Sequence, residues 1–207
     1  IYSGALWIGG YDGSTLKLAG QTYGHDNRFA ANEFWPGPID TTGTASAYSD
    51  AECAKYDRLY KITQQEVEDF VSGGTASDAI LKWPGNGDKT KGQANFLAPF
   101  FDYNKNGIYD PVSADGAHSD YPGYDLDDKD DYGGCREVGC TPVDQLYGDQ
   151  TIWWVFNDKG HGNSHAHSGG IPIGLEIRAQ AFGFLTDDDI NNMTFYNFRI
   201  FNRSTFR

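Results

Sequence analysis

The segment Asp102-Tyr103-Asn104-Lys105-Asn106-Gly107-Ile108-Tyr109-Asp110 carries oxygen-bearing side chains at alternate positions, then a glycine, then another carboxylate. This D-x-N-x-N-G-x-x-D spacing suits a hard cation. Residues one, three and five aim oxygens inward, the glycine takes the sharp turn, and Ile108 offers its carbonyl. Asp102, Asn104, Asn106, Ile108 and Asp110 are therefore candidate Ca²⁺ ligands. The twelfth position, where an EF-hand places a bidentate Glu, is Ser113, so this is not a standard EF-hand loop. A later carboxylate, Asp115 or Asp120, has to complete the sphere. The competing reading is an Asn-Gly turn on an ordinary acidic surface.

Nine Asp fall between Asp102 and Asp131, a density that repels itself without a counterion. Asp125, Asp127 and Asp130 form a less regular second candidate for a cation, against a solvated acidic loop. His161, His165 and His167 read H-x₃-H-x-H, and three imidazoles can hold a zinc ion with an open position. The surrounding stretch is rich in Gly and Ser, however, with no helix to fix the spacing and no H-E-x-x-H glutamate. An exposed polar loop is the simpler reading. A glycosidase needs only two acids at the right separation, and Asp149 and Glu176 lie beside or within predicted strands. Pairing of Glu176 with Arg178 is the simpler account of that residue. Motifs of the G-x-S-x-G and P-loop kinds are absent. Trp153 and Trp154 point to opposite faces of one strand, so at most one of them can stack on a sugar ring.

These residues must be carried by a scaffold of 207 residues with 13 Tyr, 13 Phe, 5 Trp, 26 Gly and one Met. That composition favours strands and structured loops over helices. A net charge of −13 disfavours nucleic acid and anionic membranes as partners. No apolar run approaches the roughly 20 residues that span a bilayer. Of the three cysteines, Cys135 and Cys140 close a short glycine-rich loop and read as a local disulfide in an oxidising compartment. Free thiols and a C-x₄-C zinc half-site are the alternatives, and Cys53 is left over. The chain opens in strand-like sequence without a signal peptide and closes just after a strand, which reads as a segment of something longer.

Along the chain, Tyr2 to Ile8 and Leu16 to Tyr23 form a hairpin around Tyr11-Asp12-Gly13-Ser14. Residues 24–51 read as loop, with Phe34-Trp35-Pro36-Gly37-Pro38 a rigid aromatic corner. Thr63-Gln64-Gln65-Glu66 is a capping box opening a helix that Gly73-Gly74 ends. Ala76 to Leu81 adds a short helical turn. Residues from about 85 to 149 are a loop-rich acidic insertion. Thr151 to Phe156, Ile171 to Leu185 and Met193 to Asn202 are the strongest strands. The fold class is mainly β: one domain over 1–207, an antiparallel β-sandwich with one or two short helices and an ion-stabilised insertion.

A set of blocks in order completes the reading. Ser3-Gly4-Ala5-Leu6-Trp7-Ile8-Gly9-Gly10, the Phe34–Pro38 corner and the Asp102 loop come first. Tyr147-Gly148-Asp149-Gln150-Thr151-Ile152-Trp153-Trp154-Val155-Phe156-Asn157-Asp158, Pro172-Ile173-Gly174-Leu175-Glu176-Ile177 and Asn191-Asn192-Met193-Thr194-Phe195-Tyr196 follow. Together they resemble the N-terminal region of large secreted Bacteroidota proteins that carry a C-terminal sorting domain for type IX secretion. Residues 125–144, with both Cys135 and Cys140, look like an insertion relative to that family, and no sorting domain is present. The resemblance implies an extracellular or cell-surface location more than an activity. The expected function is a non-catalytic, calcium-stabilised structural or adhesion module, such as a filament or envelope component. Its partners would be other extracellular copies or surface components. The alternatives are a carbohydrate-binding module and, further off, a glycoside or zinc-dependent hydrolase.

Overall fold

Alternating buried and half-buried side chains make the last third of the chain the frame of the molecule. In a computed structural model the described residues are 4–21, 32–42, 50–112, 119–126, 145–160, 165 and 167–204. Three antiparallel strands, β7 (Gln150–Asn157), β8 (Leu175–Gly183) and β9 (Phe195–Asn202), form a meander in which β8 is central. On β7, Thr151, Trp153, Val155 and Asn157 are buried while the residues between them are partly exposed, the period-2 signature of a sheet packed on one face. Two short strands complete the other side of β7: β3 (Trp35–Pro36) pairs near its end and β4 (Tyr60–Thr63) near its start.

The fold is mainly β and antiparallel, as expected. A two-stranded ribbon, β1 (Trp7–Asp12) with β2 (Thr15–Gly20), turns through Gly13 at φ 60°. A third small ladder joins β5 (Phe100–Phe101) to β6 (Tyr121–Pro122). Three helices are present: α1 (Asp50–Tyr56), α2 (Gln64–Val71) and α3 (Asp78–Leu81). α2 begins as the sequence requires. The Thr63 hydroxyl accepts from the Glu66 N–H and the Glu66 carboxylate accepts from the Thr63 N–H, satisfying two otherwise orphaned donors. α1 occupies sequence read in part as loop. No helix among the described residues is long and apolar enough to cross a membrane.

One face of the sheet carries the core. Ile62, Trp153 and Val155 pack with Tyr56 and with Val67, Ile80 and Trp83 from the helical segment. Leu97, Phe100, Tyr124 and Leu146 close the same cluster. The last four belong to the stretch predicted as an insertion. Between residues 85 and 126 its described residues hold only a 3₁₀ turn and the β5–β6 ladder as regular structure, yet it covers the sheet. Side chains and backbone both bind it to the core: Phe100 lies edge-on to Tyr109, and the Pro99 carbonyl accepts from the Trp83 indole at 2.8 Å.

Candidate functional site

The Asp102 loop closes on itself through its own side chains. The Asp102 carboxylate accepts from the N–H groups of Asn106 (3.2 Å) and Gly107 (2.6 Å). Asn104 Oδ1 accepts from Asn106 N at 3.0 Å, and Asn106 Oδ1 from Ile108 N at 2.6 Å. These side-chain-to-backbone bonds are the ones Asn and Asp form in tight turns. Two residues take left-handed backbone, Lys105 at φ 61° and Gly107 at φ 74°. At Lys105 this conformation costs roughly 1–2 kcal/mol, which the neighbouring side-chain bonds offset.

The geometry gathers four of the five predicted donors through their side chains. The amides of Asn104 and Asn106 each reach the Asp110 carboxylate, at 3.4 and 3.5 Å. Asp110 thus receives the amide nitrogens of Asn104 and Asn106, while the side-chain oxygens of Asp102, Asn104 and Asn106 accept from backbone N–H groups of the same turn. Ile108 lies between the last two, its side chain exposed. Asp120 stands behind the loop, fully buried, its two oxygens accepting from Tyr103 N (2.8 Å) and Asp110 N (3.0 Å). It ties the two ends of the loop together. Burial first, and then the neighbouring Asp110 carboxylate, push its carboxyl up to about 7 against the pull of the two N–H bonds. Asp115 lies outside the described residues.

Two residues that the sequence reading passed over hold this loop in place. Asn86 donates to the carbonyls of Asn95 (2.6 Å) and Gly107 (3.0 Å) and accepts from Tyr109 N (2.6 Å). Tyr109 reaches from the loop into the core, where its hydroxyl donates to the Ile80 carbonyl at 2.8 Å. The Asn86-Gly87 dipeptide signals a turn, but nothing local to it announces a partner 23 residues away. Hard oxygen donors of this number and kind fit Ca²⁺. Among the described residues no three His, Cys, Asp or Glu side chains cluster as metal ligands. The loop contributes only Asp102 and Asp110 of those types and depends on Asn104, Asn106 and backbone carbonyls.

The other candidates are placed differently. Asp125 is half-buried after the Tyr124 bridge, whereas Asp127, Asp130, Cys135 and Cys140 lie outside the described residues. Cys53 lies half-buried on α1. Of the histidines, His161 is outside the described residues, and His167 is half-buried. His165 is buried, with Nδ1 2.5 Å from the Leu18 carbonyl and Nε2 2.6 Å from the Asp158 carbonyl. Each ring nitrogen faces a backbone carbonyl oxygen, so His165 sits as a buried brace between the β1–β2 ribbon and the end of β7. Glu33, also buried, lies 3.8 Å from its Nδ1 and accepts from Gly20 N (2.6 Å) and from Ser168 N. Asp158 continues this polar core by accepting from Ile173, Gly174 and Leu175 N–H.

Glu176 is fully buried and forms an ion pair with Arg178, through Nε at 2.9 Å and Nη2 at 2.8 Å, and with Arg203 at 3.3 Å. Its second oxygen accepts from Ile39 N at 3.2 Å. The Asp149 carboxylate accepts from Leu185 N at 2.7 Å. Glu176 faces Asn157 at one end of the β7–β8 ladder, and Asp149 precedes the Gln150–Gly183 pair at the other. Seven residues of strand separate these ends, on the order of 20 Å at the usual rise, whereas paired glycosidase acids stand about 5–10 Å apart. These two carboxylates do not form such a pair. The chain matches no protein-family model, no curated protein and no solved structure.

Proposed function

We propose that the chain is a non-catalytic, calcium-stabilised structural or adhesion module of a secreted or surface-attached bacterial protein. In this role it meets other copies or surface components of the cell exterior. The observation that carries this reading is the Asp102 loop, a core-anchored turn that brings the side chains of Asp102, Asn104, Asn106 and Asp110 together at the surface. A cation there would be held once the two Asn amides turn their oxygens toward Asp110. Calcium there would act as a staple. It neutralises Asp102 and Asp110, draws charge away from buried Asp120, and fixes a segment too polar to pack by itself. The sequence resemblance to secreted proteins supports the location.

Extracellular modules bind calcium with Kd near 10⁻⁴–10⁻³ M, so 10 mM CaCl₂ stabilises the fold by about 1.4–2.7 kcal/mol. For a chain of this size that raises Tm by roughly 3–11 °C over the chelated protein. Asp110→Asn, which leaves the backbone bonds of the loop intact, should abolish most of the rise. An equal midpoint with and without EGTA, together with no calcium retained after gel filtration, would refute the staple.

A second reading, a carbohydrate-binding module, is favoured by one observation. Trp7 and Tyr11 are 68% and 76% exposed on one face of β1, either side of Gly9, about 13 Å apart at the usual strand rise. Binding on a glycan array that is lost in Trp7→Ala would establish it, and an empty array would remove it.

A further inference from the structure

The central sheet has a second face, opposite the core, and it lies away from the calcium loop. The pairing registers place Lys61, Ile152, Ala181 and Tyr196 in one row across β4, β7, β8 and β9, and Trp154, Ala179 and Phe198 in the next. Ile200 follows at the same height as Ile177 and Phe156; there Phe34 packs edge-on against Phe156 and Ile177 is fully buried, so the open part of the face lies toward β9. Small Ala179 lets the Trp154 and Phe198 rings meet edge to face at 6.2 Å, and the Tyr196 and Phe198 rings lie parallel. Tyr196, Phe198 and Ile200 remain 52%, 45% and 48% exposed. The only carboxylate in these four strands, Glu176, points to the opposite face. In a chain of 29 acidic residues, a flat aromatic face without one is a surface suited to being covered.

We propose that this face pairs with the same face of a second copy, two sheets stacking about a two-fold axis that runs along the strands. Three observations select this occupant. The half-exposed aromatic and aliphatic side chains, with Leu59 and part of Trp154, leave on the order of 500 Å² of apolar surface per copy, about the minimum for a specific interface. Copies carrying −13 each repel wherever carboxylates meet, so a face without them is where self-contact costs least. The rim is also self-complementary. A two-fold along the strands lays the β9 side of one copy over the β4 side of the other at the same end. It thereby sets exposed Lys61 opposite the turn that carries exposed Asp187 and Asp189. Each such dimer contains that contact twice. The result is a two-layer sheet packing of the usual aligned kind.

Sedimentation velocity of the whole chain from about 1 to 300 μM tests this, since so small an interface gives a dissociation constant near the micromolar range. The expected result is a reversible monomer–dimer equilibrium. Phe198→Lys should weaken it at least about tenfold. Lys61→Glu, an exposed change that leaves the fold intact, should weaken it about two- to fivefold, and Asp187→Lys with Asp189→Lys in the same chain should restore it. A monomer at every concentration would overturn the proposal and leave the face to a different protein or a glycan. So would a dimer untouched by Phe198→Lys and Lys61→Glu, which would point to the edge of β9 or the β1–β2 ribbon. Chelator should not affect this equilibrium, so its outcome is separate from that of the calcium reading.

Discussion

Replacing Asp158 tests whether the polar core organises the entry to β8. The side chain is fully buried. Oδ1 accepts from Gly174 N (2.9 Å) and Leu175 N (2.6 Å), and Oδ2 from Ile173 N (2.6 Å). Gly174 sits at φ 90°, a conformation open to glycine, and the Asp158 bonds fix it there. Asp158→Asn keeps one oxygen and two of the three bonds but turns an amide donor toward one remaining N–H. One buried unsatisfied donor costs about 1–3 kcal/mol. Loss of charge-assisted bonding is offset by relief of burying a carboxylate, for burial raises the Asp158 carboxyl above its ordinary range. Asp158→Ala strands all three donors and should cost more, about 3 kcal/mol or above. At 2–4 °C per kcal/mol for chains of this size, the expected falls are roughly 2–12 °C for Asn and at least about 6 °C for Ala. Urea titration at constant m gives the same order. A raised folded-state value favours the protonated form, so the stability of the wild type drops as pH climbs through it, and Asp158→Asn escapes that drop. The gap between the two should therefore narrow at high pH. The account fails if Ala costs no more than Asn, or if both melt within a degree of the wild type.

Two further outcomes can be checked directly. Thr63→Ala removes the reciprocal cap of α2 and should lower stability by about 1 kcal/mol, read as a Tm change of a few degrees, whereas Thr63→Ser should be nearly silent. In EGTA the protein should lose stability between pH 4 and pH 8. The Asp120 carboxyl rises from 3.8 to about 7 on folding, so its favourable contribution is complete below about 4 and gone above about 7, at most about 4 kcal/mol. Calcium should flatten that slope; parallel pH profiles with and without calcium would show that Asp120 does not sense the loop's charge.

What was readable in the sequence was local. The capping box needs only Thr63 and Glu66, three residues apart, and β7 and β9 announce themselves by alternation. The Glu176–Arg178 pair follows from two residues sharing one face of a strand. The Asp102 turn was readable for the same reason: the bonds among its own residues span at most six positions, whereas its ties to Asn86 and Asp120 were not. α1 was not, because Asp50–Tyr56 has no apolar stripe and gains its place through buried Tyr56 and the ion pair of Glu52 with Lys91. The buried polar residues were the least readable. Asp158 and His165 sit in or beside Gly- and Ser-rich sequence that looks solvated, Glu33 precedes an aromatic corner, and none of their partners is local. The two carbonyls that face the His165 ring nitrogens lie on Leu18 and Asp158, one of them 147 residues away. No local pattern encodes that.

The same long reach has a temporal side. Leu18 waits for His165, and Glu33 for Ser168, across separations of 147 and 135 residues. The β7–β8–β9 meander closes through neighbours in sequence and can form as soon as it is made. Contacts so distant slow folding. At ribosomal rates the amino-terminal ribbon emerges about 7–30 s before the residue that anchors it exists. Through that interval Trp7, Tyr11 and the open edges of β1 and β2 are available to any neighbouring nascent chain. The β1–β2 ribbon is thus a segment that a holding chaperone would protect, and synthesis of the β7–β8 region ends the wait.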